Sequence, residues 1–199
     1  TEASMDPSAQ YNDDEGKFTL KWLNKNVMEK PFDVSRFPYC VLENDGEIVL
    51  HCIEQVSGHK LNDCRKAAEE PQEATRTGTA QSRSSQQEEG PKEKLDPVTA
   101  KSHRLLKKYR LLVNFLTAMG GLVTHLNPIY MLDMDHFMIA QEHHTKLLEG
   151  SRLTPKMLDM KKEVWKATWL DKCKFAWMEI LFQTIRVFVM SRIDYHQLI

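Results

Sequence analysis

Apolar positions recur along most of this chain at spacings of three and four, the period of an α-helix. Phe18, Leu20, Trp22, Leu23 and Val27 predict a first helix over residues 17–30, closed by Pro31. Residues 42–61, LENDGEIVLHCIEQVSGHKL, predict a second with both ends marked. Asn44 reads as its N-cap with Glu47 completing a capping box, Asp45 sets negative charge against the helix dipole, and Ser57-Gly58 supplies a left-handed stop. Between them Ile48, Val49, Cys52, Ile53 and Val56 share one face.

Asp96-Pro97 reads as N-cap and first turn of a third helix, with a stripe of Leu105, Tyr109, Leu112, Val113, Leu116 and Met119 that ends at Gly120-Gly121. Asn127-Pro128 starts a further helical piece carrying Ile129, Leu132, Phe137 and Met138, broken by Gly150. Thr154-Pro155 repeats the start signature, with Met157, Leu158, Val164, Trp165, Thr168 and Trp169 as an amphipathic face. The last element, residue 171 to about 193, is apolar nearly all round except for Glu179, Gln183 and Arg186. So narrow a polar edge predicts the central helix of a bundle. No strand and no internal repeat is predicted.

The remaining segments are polar or irregular. Residues 1–16 predict a flexible leader, and residues 32–42, with Pro38, an irregular packed connection. Residues 66–96 are rich in Glu, Gln, Ser, Thr, Lys and Arg. Such a segment buries too little to offset its ordering entropy, which predicts a disordered insertion.

Composition changes this picture little. The 199 residues are 41% hydrophobic and 28% charged, enough for one domain with a core, and 27 basic side chains balance 28 acids. No overall field points to nucleic acid. Cys40, Cys52, Cys64 and Cys173 are too far apart for a metal knuckle, so reduced intracellular thiols are expected. Residues 173–190 are apolar enough to suggest a membrane span, but Lys174, Glu179, Gln183 and Arg186 interrupt them and a buried helix is expected instead. The polar start and the ending HQLI suggest a domain of a larger protein.

The order of helices resembles a calponin-homology domain, an all-α bundle of four main helices with shorter connecting ones. The four would be FTLKWLNKNV, LENDGEIVLHCIEQVSGHKL, HRLLKKYRLLVNFLTAMGG and FAWMEILFQTIRVFVMSRI. The second matches the family's D-G…E-x-x-S-G-x-x-L pattern at Asp45, Gly46, Leu50, Glu54, Val56, Ser57, Gly58 and Leu61, and Trp177 stands in the last helix. The resemblance divides the domain into residues 17–65 and 97–199, separated by the insertion at 66–96. A second departure is an extra helical region at about 137–170. This longer form looks most like the divergent calponin-homology domain of large cilia- and flagella-associated proteins of the protein 47 type.

Few residues offer chemistry. Asp133, Asp135, His136, Glu142, His143 and His144 are metal-ligand types, but no HExxH spacing joins them and a solvated polar face is the better account. No phosphate-binding or nucleophile motif appears. His51 and Cys52 are adjacent, so their side chains diverge by about 100° and form no catalytic pair. No cofactor and no enzymatic activity are expected.

The basic run is the feature with a partner in view. Lys101, Arg104, Lys107, Lys108 and Arg110, with His103, fall in ten residues without an acid. The ordinary account is the solvated face of the third helix; the functional one is a patch for an acidic filament. Exposed aromatics do not interleave it, which disfavours nucleic acid. The resemblance implies association, since family members bind actin, microtubules or signalling proteins, and one domain alone is a poor actin binder. The expectation is a non-enzymatic cytoskeletal module, docking on microtubules or axonemal proteins in cilium or sperm flagellum motility. The alternatives are an actin-binding module and a structural spacer packed on its parent chain. No membrane partner is expected, and a cytoplasmic, cytoskeletal location in the axoneme follows from the same reading.

Overall fold

The computed structural model describes residues 13–71 and 95–190. Among the described residues every regular element is helical and there is no strand. Seven α-helices follow in order: α1 Asp13–Asn26, α2 Tyr39–Leu42, α3 Glu47–Ser57, α4 Asn62–Ala68, α5 Pro97–Ala118, α6 Met134–Glu149 and α7 Pro155–Thr184. Single-turn segments connect them, and a π-helical turn, Ile185–Val189, prolongs α7.

The C-terminal half of α7 is the axis of the bundle. Trp169, Cys173, Ala176, Trp177, Ile180 and Leu181 are all buried there. Around them pack Leu20 and Leu23 of α1, Val49, Leu50 and Ile53 of α3, and Leu105, Leu112 and Leu116 of α5. Each such side chain contributes about 1.5–3 kcal/mol when fully buried, so the apolar stripes dictate which helices touch. The four long segments expected from the sequence fall in α1, α3, α5 and α7.

Several expectations change. Helix α1 starts at Asp13, inside the expected leader, and ends five residues before Pro31. Its acidic first turn, Asp13, Asp14 and Glu15, suits the positive end of the dipole. Phe18, expected on its buried face, is exposed. The chain leaves α1 through Asn24, whose side chain both accepts from the Phe32 N–H and donates to the Phe32 carbonyl, at 2.7 and 2.8 Å. Residues 32–42 are irregular as expected but finish in the short helix α2.

The expected insertion begins too early at 66, because Lys66 to Ala68 belong to α4. Its middle, residues 72–94, lies outside the described residues, as do 1–12 and 191–199. Asp96 caps α5 by accepting from the Val98 and Thr99 N–H groups, with Pro97 in the first turn. Thr154 and Pro155 start α7 in the same way.

The largest difference lies around residue 170. Two helices were expected there, yet α7 runs unbroken for 30 residues. Its first half exposes Met157, Met160 and Val164, packs Trp165 against the core and is joined to the distal part of α6 by ion pairs. Lys161 to Glu149 at 3.1 Å and Lys162 to Glu142 at 2.9 Å tie the two into a helical hairpin. That hairpin occupies much of the stretch at about 137–170. The polar edge of α7 is also not a solvated one. Buried Gln183 accepts from the Leu122 N–H at 3.0 Å and from Arg186 at 2.8 Å, and Arg186 reaches the Gly120 carbonyl, fastening the turn after α5.

Candidate docking surface and the ion cluster beneath it

The five basic residues of α5 separate into three environments. Lys101, Lys107 and Arg110 are exposed. Arg104 is half-buried, with Glu70 at 3.7 Å. Lys108 does not belong to the surface: its side chain is 3% exposed. Position 108 lies three residues after Leu105 and four before Leu112, hence on the apolar stripe that faces the core. Its ammonium donates to the Asp45 carbonyl at 2.8 Å and to a Glu47 oxygen at 3.1 Å.

Lys108 thereby enters an ion cluster joining α3, α4 and α5. Arg65 of α4 donates through Nε to Glu47 at 3.1 Å and through both Nη atoms to Glu54, at 3.0 and 2.6 Å. Burial alone would raise the Glu47 carboxyl, but Lys108 and Arg65 outweigh it and hold it below its ordinary value. The Arg65 fork and then the Leu61 N–H hold Glu54 down to about 2 in spite of its burial. His51 lies 3.7 Å from each of these carboxylates and is exposed. A bidentate guanidinium is the geometry that offsets the desolvation of a buried carboxylate.

The matched motif acquires a physical account from these contacts. Asn44 does not cap α3. Asn44, Asp45 and Gly46 all take left-handed φ values, 52°, 54° and 76°, in a tight turn, and the helix starts at Glu47. The expected capping box is absent because Glu47 is spent on Lys108 and Arg65. Gly46 is required twice over: by its φ, and because a Cβ there would stand 3.0 Å from the Trp177 ring. Trp177 is fully buried, donates to the Met131 carbonyl at 3.0 Å, and meets Tyr109 edge to face at 5.2 Å. At the other end, Gly58 adopts φ 73° as expected, Ser57 accepts from the His59 N–H at 3.1 Å, and Glu54 accepts from the Leu61 N–H at 2.9 Å. Asp45, Gly46, Ser57, Gly58 and Trp177 thus shape the fold.

The other candidates are brought together only in part. Asp133 caps α6 by accepting from the His136 N–H at 3.0 Å, and His136 Nδ1 lies 2.7 Å from the Ser102 hydroxyl. His143 turns to His103 of α5 with ring centroids 4.6 Å apart, and Glu142 is held by Lys146 and Lys162. Among the described residues no group of three ligand-type side chains converges. All four cysteines are buried free thiols. Burial pushes Cys40 up to about 11 and Cys52 to about 12, and raises Cys64 and Cys173 as well, so all four stay protonated. An open groove of about 630 Å³ beside α3 is lined by Met28, Cys40, Ile48 and the already paired Glu47 and Glu54.

Sequence reasoning did not find Arg65, the inward turn of Lys108 or the His103–His143 contact. The first two had a signal in the stripe register of α5 and in a lone arginine within the short α4. The third joins two helices and has none.

The family model described as the cilia- and flagella-associated protein 47 domain matches residues 2–193. The chain belongs to that family. Membership associates it with cilia and flagella. No curated protein and no solved structure matches the chain. Among the described residues no helix is long and apolar enough to cross a membrane.

Proposed function

We propose that this chain is a non-enzymatic docking module of a ciliary or flagellar protein, a divergent calponin-homology-like bundle that binds axonemal microtubules or their associated proteins. The reading is carried by the exposed basic edge of α5 in a domain whose family is named for cilia and flagella. Lys107 and Arg110 project from the face of α5 opposite Leu105, Tyr109, Leu112 and buried Lys108, and Lys101, four residues before Leu105 on the core stripe, is exposed where the helix begins. A rigid helix presenting cations to an acidic polymer gives charge complementarity with little ordering cost. The calponin-homology part of the proposal rests on the Asp45-Gly46 turn against Trp177 and on α7 as the central helix. It extends to motility of the cilium or sperm flagellum through the same docking, with actin the less favoured filament.

The test is cosedimentation with microtubules and with filamentous actin over a salt series, beside a Lys101→Glu/Lys107→Glu/Arg110→Glu variant. Lys108 is left intact so that the fold is not disturbed. Microtubule pelleting that fades with salt and in the variant is expected. Failure to pellet with microtubules at low salt overturns direct microtubule docking, and pelleting with actin alone reassigns the filament.

A second reading has an observation of its own. Leu147, Leu148, Met157, Met160 and Val164 are exposed within the α6–α7 hairpin. An apolar projection of this kind suits packing on another part of a parent chain, as a spacer would.

A further inference from the structure

Adjacent residues of α5, Ser102 and His103, meet two residues of α6 that lie seven apart, His136 and His143, and the two contacts are built differently. Near the start of α6, His136 Nδ1 lies 2.7 Å from the hydroxyl of fully buried Ser102, with an Asp133 carboxylate oxygen 4.0 Å from Nε2. Two turns further along, His103 and His143 face each other at 4.6 Å, with ring planes at 71°, and both are half-buried.

The charged neighbours give this second pair little help. On α5 it is flanked by Arg104 and Lys107, and on α6 by Glu142, His144 and Lys146. Glu142 already receives Lys146 at 2.7 Å and Lys162 of α7 at 2.9 Å. Glu70, just beyond α4, is directed to Arg104. Two imidazolium rings in contact would therefore repel in a setting that is already cationic.

We propose that the His103–His143 contact is a pH-sensitive latch, which holds the distal α6–α7 hairpin on α5 at neutral pH and releases it when both rings take up protons. The Ser102–His136 hydrogen bond, the Asp133 cap and the unbroken run of α7 into the core keep the hairpin attached at its base, so release is a loosening of its packing on α5 with fraying of residues 139–168 and not a rigid-body swing. Burial, then the neighbouring His143, lowers the pKa of His103 below its ordinary 6.5. A lowered histidine pKa means that the open state binds more protons than the closed one. The closed seam is therefore fully stable above about pH 6.5 and loses stability as the pH falls below that value. The latch rests on seam geometry alone and is independent of which partner the α5 edge binds.

Two measurements on the whole chain test it. In NMR titration of the imidazole Cε1–H signals, His103 is expected to titrate below an ordinary histidine, and to rise toward the ordinary value in His143→Gln. In amide hydrogen exchange, corrected for intrinsic rates, residues 139–168 are expected to lose protection several-fold between about pH 7.5 and about pH 5.5, while α3 keeps its own. His103→Gln, which keeps a planar polar side chain without a titrating charge, is expected to abolish that loss. An ordinary or raised His103 titration, or acid-induced exchange that spreads equally to α3 or persists in His103→Gln, overturns the proposal.

Discussion

Lys107 and Lys108 are neighbours in sequence with opposite surroundings. A step of about 100° around α5 carries one into solvent and the other into the core, where its charge is matched by Glu47 and the Asp45 carbonyl. Removing Lys108 leaves partly buried Glu47 with Arg65 as its remaining partner and takes the donor from the Asp45 carbonyl, a loss of about 1–3 kcal/mol, whereas an exposed lysine typically changes stability by less than about 0.5 kcal/mol. Lys108→Ala is accordingly expected to lower unfolding free energy by about 1–3 kcal/mol, and Lys107→Ala to leave it nearly unchanged. Chemical denaturation of both variants beside the parent checks this. Equal, small effects would place Lys108 on the surface with the rest of the run.

At the scale of elements, α7 separates what period encodes from what context decides. Its start at Thr154-Pro155 and its buried Trp169 and Trp177 are legible, because capping chemistry and apolar spacing are local. Its continuity through Asp171 is not, since one charged residue between two apolar stretches reads equally well as a break or as an exposed position. The structure takes the second course, and Asp171 sits exposed in mid-helix. A proline there would remove a backbone hydrogen bond and clash with the preceding turn, at about 3 kcal/mol or more. Asp171→Pro is expected to cost that much in thermal or chemical unfolding, while Pro155, in the first turn, is tolerated. If Asp171→Pro unfolds like the parent, the helix is in fact divided there. The same distinction accounts for α3. Its apolar face and Gly58 stop follow from sequence, but local spacing makes Glu47 look like a capping residue because its real partners, Lys108 and Arg65, lie 61 and 18 residues away.

The molecule as a whole carries two different surfaces on two rigid parts, the cationic edge of α5 and the apolar flank of the α6–α7 hairpin. Overall charge conceals the first, because 27 basic and 28 acidic residues nearly cancel. Several acids are consumed internally: Glu47 and Glu54 by Lys108 and Arg65, Glu142 and Glu149 by the hairpin lysines. Lys101, Lys107 and Arg110 are left to act outward, and exposed charges of this kind are screened over about 10 Å at 0.1 M salt. Apolar contact from the hairpin has the opposite dependence, being unaffected or strengthened as salt rises. The two surfaces are therefore separable by experiment. Met160→Lys/Val164→Lys is expected to leave salt-sensitive microtubule pelleting intact and to abolish salt-insensitive binding to other segments of a parent protein. If the hairpin variant instead loses microtubule pelleting, docking runs through the apolar flank and the basic edge has only a supporting part.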